Sequence, residues 1–251
     1  MRGLDIFRQW FSGYIDQYML IGGTACNLAM REAGLEFRAT KDLDIVLCVE
    51  VLSTSFVEAF WAFVAEGGYQ VQQRAQGGKQ FYRFQKPQAA SFPAMLELFS
   101  RAPEGLPLAP GSHLTPIPMT EEVSSLSAIL MDDDYYAFIR STTSIVDGLP
   151  VVGPAGLIPL KARAWLDLSD RAAKGEQVDS RDIKKHRNDI FRLYRVLDPA
   201  VRLSVPEKVK ADMAHFIEQV SGEGVDLKAF GVLSVDLPSL LAELRTIFGL
   251  G

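Results

Sequence analysis

Cysteine is scarce: Cys26 and Cys48 are the only two in 251 residues. Both lie in apolar segments, so the expectation is a pair of buried thiols in a reducing compartment. A disulfide scaffold and a Cys-rich zinc site are excluded. Histidine is nearly as rare, and His113, His186 and His215 are dispersed, with no His-x-x-x-His or Cys-partner spacing. No zinc site is expected from them. No run approaches about 18 uninterrupted apolar residues, so no membrane span is expected. An excess of positive charge is also missing: Lys and Arg total 26 against 31 Asp and Glu, for a formal net charge of -5. The chain as a whole is not built to coat nucleic acid, although a confined basic patch is compatible with that balance. The opening MRGLDIFRQWFSGYIDQ carries Asp5 and Asp16; it reads as neither signal peptide nor membrane anchor, and the expected location is cytoplasmic. Ser12 and Ser141 lie in no nucleophile-elbow motif, and no internal repeat or low-complexity tract is visible.

What remains is ordinary globular material, 48% hydrophobic and 23% charged, with 20 Gly and 13 Pro, long enough for one large domain or two small ones. Leu4, Phe7, Phe11, Tyr14 and Ile15 recur at helical spacing and predict a helix over 4–16. YMLIG (18–22) reads as a buried strand, followed by a helix that begins at Thr24 and finishes near Gly34. KDLDIVLCVE (41–50) reads as a strand through its β-branched residues, and 54–66 as a helix stopped by Gly67 and Gly68. Strands are expected at 69–74, 79–86 and 94–100, with Gly77-Gly78 as a turn. Residues 102–125 are rich in Pro and Gly and read as a loop. A strand pair is expected between 126 and 153, with DDDY (132–135) and DG (147–148) as turns. Beyond Pro154, four amphipathic stretches read as helices, and Trp10, Trp61 and Trp165 fall at core spacing. The fold class is therefore α+β: a small mixed sheet with packed helices over 1–153, then a helical half over 154–251.

The chemistry concentrates near residue 43. Gly22-Gly23 is followed about 20 residues later by Asp42-Leu43-Asp44 on a strand. With a period of two, both carboxylates leave the same face. Two buried carboxylates require a counter-charge, and Mg²⁺ is typically held by one or two carboxylates plus substrate phosphates. Glycines at a strand-to-helix turn let a phosphate approach, and the free N–H groups of the helix starting at Thr24 face that anion. Together these pieces describe a metal–triphosphate site. Asp132-Asp133-Asp134 is no such cluster, because consecutive side chains diverge; it reads as a turn.

The pattern GG-T-A-x-N-L-x(11)-T-K-D-L-D-I resembles the signature of the nucleotidyltransferase superfamily with the DNA polymerase β-like fold, and within it the AbiEii/AbiGii-like bacterial group, many of whose members are toxins of toxin–antitoxin pairs. The resemblance spans about residues 18–195 and is most specific early in the chain. It implies a polymerase β-like core, binding of a nucleoside triphosphate with Mg²⁺, and transfer of a nucleotidyl group to an acceptor hydroxyl. By position it implies that Gly22 and Gly23 cradle phosphates, Asp42 and Asp44 hold metal, and Thr40 is the small hydroxyl residue before the aspartates. Many superfamily members have Gly-Ser where this chain has Gly22-Gly23, so one hydroxyl contact to phosphate is absent. The family's third acid has Glu97 of AMLELFS as its candidate, as general base or third metal ligand; the alternative is an edge-strand glutamate facing solvent. In the second half, Lys161 in PLKARAWLDL and an acid of SRDIKKHRNDIFRL resemble a further family pattern. Lys161 would reach triphosphate oxygens, and the acid would orient it. Asp189 is the better match and Asp182 the fallback.

Helical spacing places Asp182, Lys185, Asp189 and Arg192 on one face, with Lys184, Arg187 and Arg195 to the side. A solvated, salt-bridged surface accounts for most of these charges, and a local RNA-binding stripe with Arg163 and Arg171 is the alternative. The functional expectation is a Mg²⁺-dependent nucleotidyltransferase acting on an RNA 3′ end, a protein hydroxyl or a small molecule, with an antitoxin as a further partner if it is a toxin. The rivals are an inactive nucleotide-binding sensor of the same fold and a sugar-nucleotide glycosyltransferase using D-x-D.

Overall fold

A computed structural model describes residues 1–48, 50–76, 79–100 and 132–250. The loop read over 102–125, the turn at Gly77-Gly78, residues 126–131 of the expected strand pair, and His113 lie outside the described residues. The chain divides into two compact units: among the described residues, the first takes 1–100 and 143–152, and the second 132–142 and 153–250.

The first unit is a mixed seven-stranded sheet in the order β3-β4-β5-β2-β1-β7-β6. Its strands are β1 (Tyr18–Ile21), β2 (Asp42–Leu47), β3 (Gln70–Gln76), β4 (Lys79–Gln85), β5 (Met95–Ser100), β6 (Thr143–Val146) and β7 (Leu149–Val152). Three helices accompany them: α1 (Leu4–Trp10), α2 (Gly22–Glu32) and α3 (Thr54–Gly67). β2 runs antiparallel to β1 and parallel to β5, while β3, β4 and β5 form an antiparallel meander. The β6–β7 hairpin turns at Asp147-Gly148, where both φ angles are positive (54° and 76°), and joins β1 in parallel through β7.

The pleat sorts the two faces. Tyr18, Leu20, Ile45 and Leu47 share one face of β1 and β2, and Met19, Ile21, Asp44 and Val46 the other. The first face carries an aromatic core. Phe11 is fully buried and its ring lies 5.3 to 6.1 Å from those of Tyr18, Phe56, Phe60 and Phe63. This packing explains why α1 ends at Trp10 rather than running to residue 16. Phe11 caps the helix, and the chain then turns through Ser12 and Gly13 into β1. α2 also begins two residues earlier than expected, at Gly22.

The second unit is helical, with α4 (Asp133–Ser141), α5 (Pro154–Ala173), α6 (Ser180–Tyr194), α7 (Glu207–Ser221), a 3-10 turn (Leu227–Phe230) and α8 (Leu237–Phe248). The DDDY segment is not a turn. Asp132 accepts a hydrogen bond from the Tyr135 amide at 3.2 Å as the N-cap of α4, and Asp133 and Asp134 occupy its first turn. Acidic residues there favour a helix start electrostatically, which a tally of turn-forming residues does not register. Cys26 and Cys48 are buried free thiols, and Trp61 and Trp165 are core residues, as expected. Among the described residues no helix is long and apolar enough to cross a membrane.

Phe11→Ala removes the centre of the aromatic core without touching any charged side chain. We expect a loss of about 3–5 kcal/mol in urea unfolding; a loss below about 1 kcal/mol would show that Phe11 is peripheral.

Candidate active site

Asp42 and Asp44 sit on β2 near the middle of the sheet and leave the face opposite the aromatic core. Asp44 is 9% exposed, and Asp42, at the strand start, is half-buried. Glu97 lies directly beside Asp44 in the parallel β2–β5 register, with Asp42 beside Met95. The three acids therefore share one face. β5 is flanked by β4 and β2, so Glu97 is on an interior strand, not an edge, and is 7% exposed. Burial pushes its carboxyl above the usual glutamate range. Arg83 and a hydrogen bond with Asp44 oppose that rise, and the Asp42 charge adds to it.

Arg83 of β4 stands next to Glu97 in the β4–β5 register. Its Nε and Nη2 both donate to Glu97 Oε1, at 2.8 and 2.6 Å. The sequence reading missed this residue: in KQFYRFQ it is one arginine in an alternating strand, and only the meander register brings it to the acid. Arg38 is a second omission. Its guanidinium reaches the glycine pair from the loop before β2, Nη2 lying 3.6 Å from where a Cβ on Gly23 would stand. A basic residue two positions before Thr40 was the available signal.

The glycines are dictated by what faces them. Gly22 has φ of 66°, and a Cβ there would overlap the Asp44 carboxylate. A Cβ on Gly23 would stand 2.7 Å from Thr40 Oγ1. Gly22 is thus required by backbone conformation and by close approach together. Thr24 is buried, and its Oγ1 donates to the Asp42 carbonyl at 2.7 Å, tying α2 to the first residue of β2. The N-cap of α2, Ile21, supplies no side-chain hydrogen bond, and the first N–H groups of a helix are donors suited to an anion.

Hard carboxylate oxygens on one face suit a hard divalent cation. Among the described residues, however, no three His, Cys, Asp or Glu are gathered as a metal-holding group. Arg83 already engages Glu97. The donor set therefore fits a cation resting on Asp42 and Asp44, with phosphate oxygens and water completing its shell.

In the helical unit, Lys161 Nζ lies 3.2 Å from Asp189 Oδ2, and the two are 5% and 0% exposed. Lys161 lies inside α5. α5 begins at Pro154, a favourable first-turn position, and Pro159 lies within it. Asp189 also accepts from Arg192 Nη1 at 3.3 Å, and the Arg192 guanidinium stacks on Phe230 at 5.1 Å. Asp182 is half-buried in the first turn of α6. Most of the basic stripe has local acidic partners: Arg163 with Asp212, Arg171 with Glu176, Arg181 with Asp179, and Arg187 with Glu223. The salt-bridged surface accounts for those charges.

No family model matches the chain, and no curated protein does. Solved structures do. An antigenic nucleotidyltransferase-like protein from Paracoccidioides brasiliensis is 15% identical, with 95% of this chain and 89% of that one covered and a TM-score of 0.45. The Cid1 poly(U) polymerase with MgGTP bound is 12% identical, with 96% and 64% covered and a TM-score of 0.30. A cytoplasmic RNA terminal U-transferase is 12% identical, with 96% and 82% covered and a TM-score of 0.26.

Two substitutions test this geometry. Gly22→Ala should cost about 1–3 kcal/mol for the left-handed backbone alone, plus the displacement of Asp44. In urea unfolding, Asp44→Ala should recover part of that cost in the double variant; strict additivity would mean the two residues do not touch. Asp189→Asn strands a buried ammonium and should cost about 3–5 kcal/mol. The joint replacement Lys161→Met with Asp189→Leu should lose far less, and an equal loss would remove the ion pair as the cause.

Proposed function

We propose that the chain is a divalent-cation-dependent nucleotidyltransferase that moves a nucleotidyl group from a nucleoside triphosphate to an acceptor hydroxyl. The observation that carries this reading is the junction of β1, α2 and β2. A side-chain-free turn at Gly22-Gly23 lies against two same-face carboxylates on the neighbouring strand. The resemblance of the GG…DLD segment to the polymerase β-like, AbiEii-type signature supports it.

In this reading Asp42 and Asp44 hold Mg²⁺. When bound, the cation neutralises the triphosphate and polarises the α-phosphate. Gly22 and Gly23 let the phosphates approach the start of α2, whose N–H groups donate to them. Thr24 fixes the height of Asp42 through its carbonyl, and Thr40 packs against Gly23. Arg38 adds positive charge at the same turn. Glu97, hydrogen-bonded with Asp44, is assigned as the third acid, steering the attacking hydroxyl. The acceptor oxygen forms a bond to the α-phosphorus as its proton passes to Glu97, the assigned general base, while the bond to the β-phosphate bridge breaks and pyrophosphate departs with the electron pair. Positioning and charge neutralisation supply most of the acceleration. The sequence motif assigns Lys161 to an anion and Asp189 to its orientation, and within the helical unit the two form a buried ion pair. An RNA 3′ end, a protein hydroxyl or a small molecule as acceptor, an antitoxin partner, a toxin role and a cytoplasmic setting belong to the same proposal and rest on the sequence motif.

A second reading is favoured by one observation. Glu97 is engaged by Arg83, which draws the third acid away from metal or proton-transfer work, as suits a nucleotide-binding module without turnover. Incubation with each α-labelled NTP, Mg²⁺ and total RNA separates the two. Label transfer that falls by about two orders of magnitude or more in Asp42→Ala and Asp44→Ala is the expected outcome. Aspartate-dependent NTP binding without pyrophosphate release would establish the second reading, and transfer from a UDP-sugar would replace both.

A further inference from the structure

Three strands place a row of charges side by side: Arg83 on β4, Glu97 on β5 and Asp44 on β2. Adjacent strands are about 4.8 Å apart, so each group has its neighbour fixed by the sheet itself. We propose that Arg83 is a built-in counter-cation for this row, a positioning residue that keeps Glu97 out of the divalent cation's shell and leaves Asp42 and Asp44 as the two protein ligands. The inference rests on the nucleotidyltransferase reading of the same site.

The argument is one of charge and reach. The Arg83 and Glu97 side chains are only 14% and 9% exposed, so the pair is held largely out of water. Two guanidinium nitrogens converge on one carboxylate oxygen at 2.6 and 2.8 Å, a charge-assisted contact at the strong end of its class. A divalent cation ligated by Glu97 would have to share that carboxylate with a positive group held a few ångströms away. The like-charge repulsion in a partly dry site opposes this. Asp44 stands one strand farther from Arg83 than Glu97 does, and Asp42 two residues before it on β2; Mg²⁺ needs no more than one or two carboxylates when phosphates complete its shell. A guanidinium cannot be deprotonated, so its charge is permanent.

Mn²⁺ affinity, read by titration calorimetry without nucleotide, and thermal midpoints with EDTA or Mn²⁺ test the assignment. Arg83→Met removes the charge at similar volume. Its metal-free midpoint should fall, Mn²⁺ should raise that midpoint more than in the unsubstituted chain, and Mn²⁺ should bind about tenfold more tightly because Glu97 is freed as a ligand. Neutralising Glu97 as well, in Arg83→Met/Glu97→Gln, should abolish that gain, and Arg83→Lys should restore most of the original affinity. Unchanged or weaker Mn²⁺ binding by folded Arg83→Met overturns the proposal and leaves Arg83 a structural clamp. If Arg83→Met fails to fold, Glu97→Gln decides: it should weaken Mn²⁺ binding less than Asp42→Asn or Asp44→Asn does, and an equal or larger loss overturns the proposal. Mn²⁺ binding in the unsubstituted chain that ignores both aspartates would instead sink the nucleotidyltransferase reading itself.

Discussion

A carboxylate in the middle of a sheet is expensive unless positive charge comes with it, and the first unit is arranged around that requirement. Asp44 and Glu97 lie side by side on interior strands, with Arg83 reaching Glu97 from the next strand over. The crowding propagates outward. Asp44 leans on the backbone at Gly22, so position 22 has neither a side chain nor an ordinary backbone conformation. Thr40 occupies the space beside Gly23, and Thr24 anchors the strand that presents both aspartates. The glycine pair is as much a consequence of the acids as an opening for a ligand.

The helical unit solves a related problem with different parts. Lys161 and Asp189 are buried together, and Arg192 shares the aspartate while stacking on an aromatic ring. Buried ion pairs of this kind add little net stability because desolvation offsets most of the attraction. What they fix is geometry. Each unit thus spends folding free energy on holding a charged group in one orientation, which is how a binding site differs from a core.

The local parts of this arrangement were legible in the sequence. The period of two in Asp42-Leu43-Asp44, the glycine pair and the apolar setting of Glu97 depend on residues close in the chain; the two aspartates share a face as that period required, and Glu97 joins them only through the β2–β5 register. The first two strands, α3 and the four long C-terminal helices were readable for the same reason. Arg83 was not, because its partner is chosen by the β4–β5 register rather than by its own neighbours. The acidic triplet at 132–134 was misread because capping and helix-dipole effects reward the same residues that favour turns. The opening helix was overextended since Phe11, Tyr14 and Ile15 keep helical spacing in sequence while the chain has already turned to bury Phe11.

The path of the chain carries one more consequence. The sheet's strand order puts β7 against β1, yet β7 follows a helix that belongs to the other unit. Until residues 143–152 emerge from the ribosome, Tyr18–Ile21, buried at every position in the finished protein, would form an unpaired border of apolar backbone. Such a border invites pairing with other chains. The N-terminal half therefore completes its sheet only with a segment that lies more than a hundred residues after β1 in the chain.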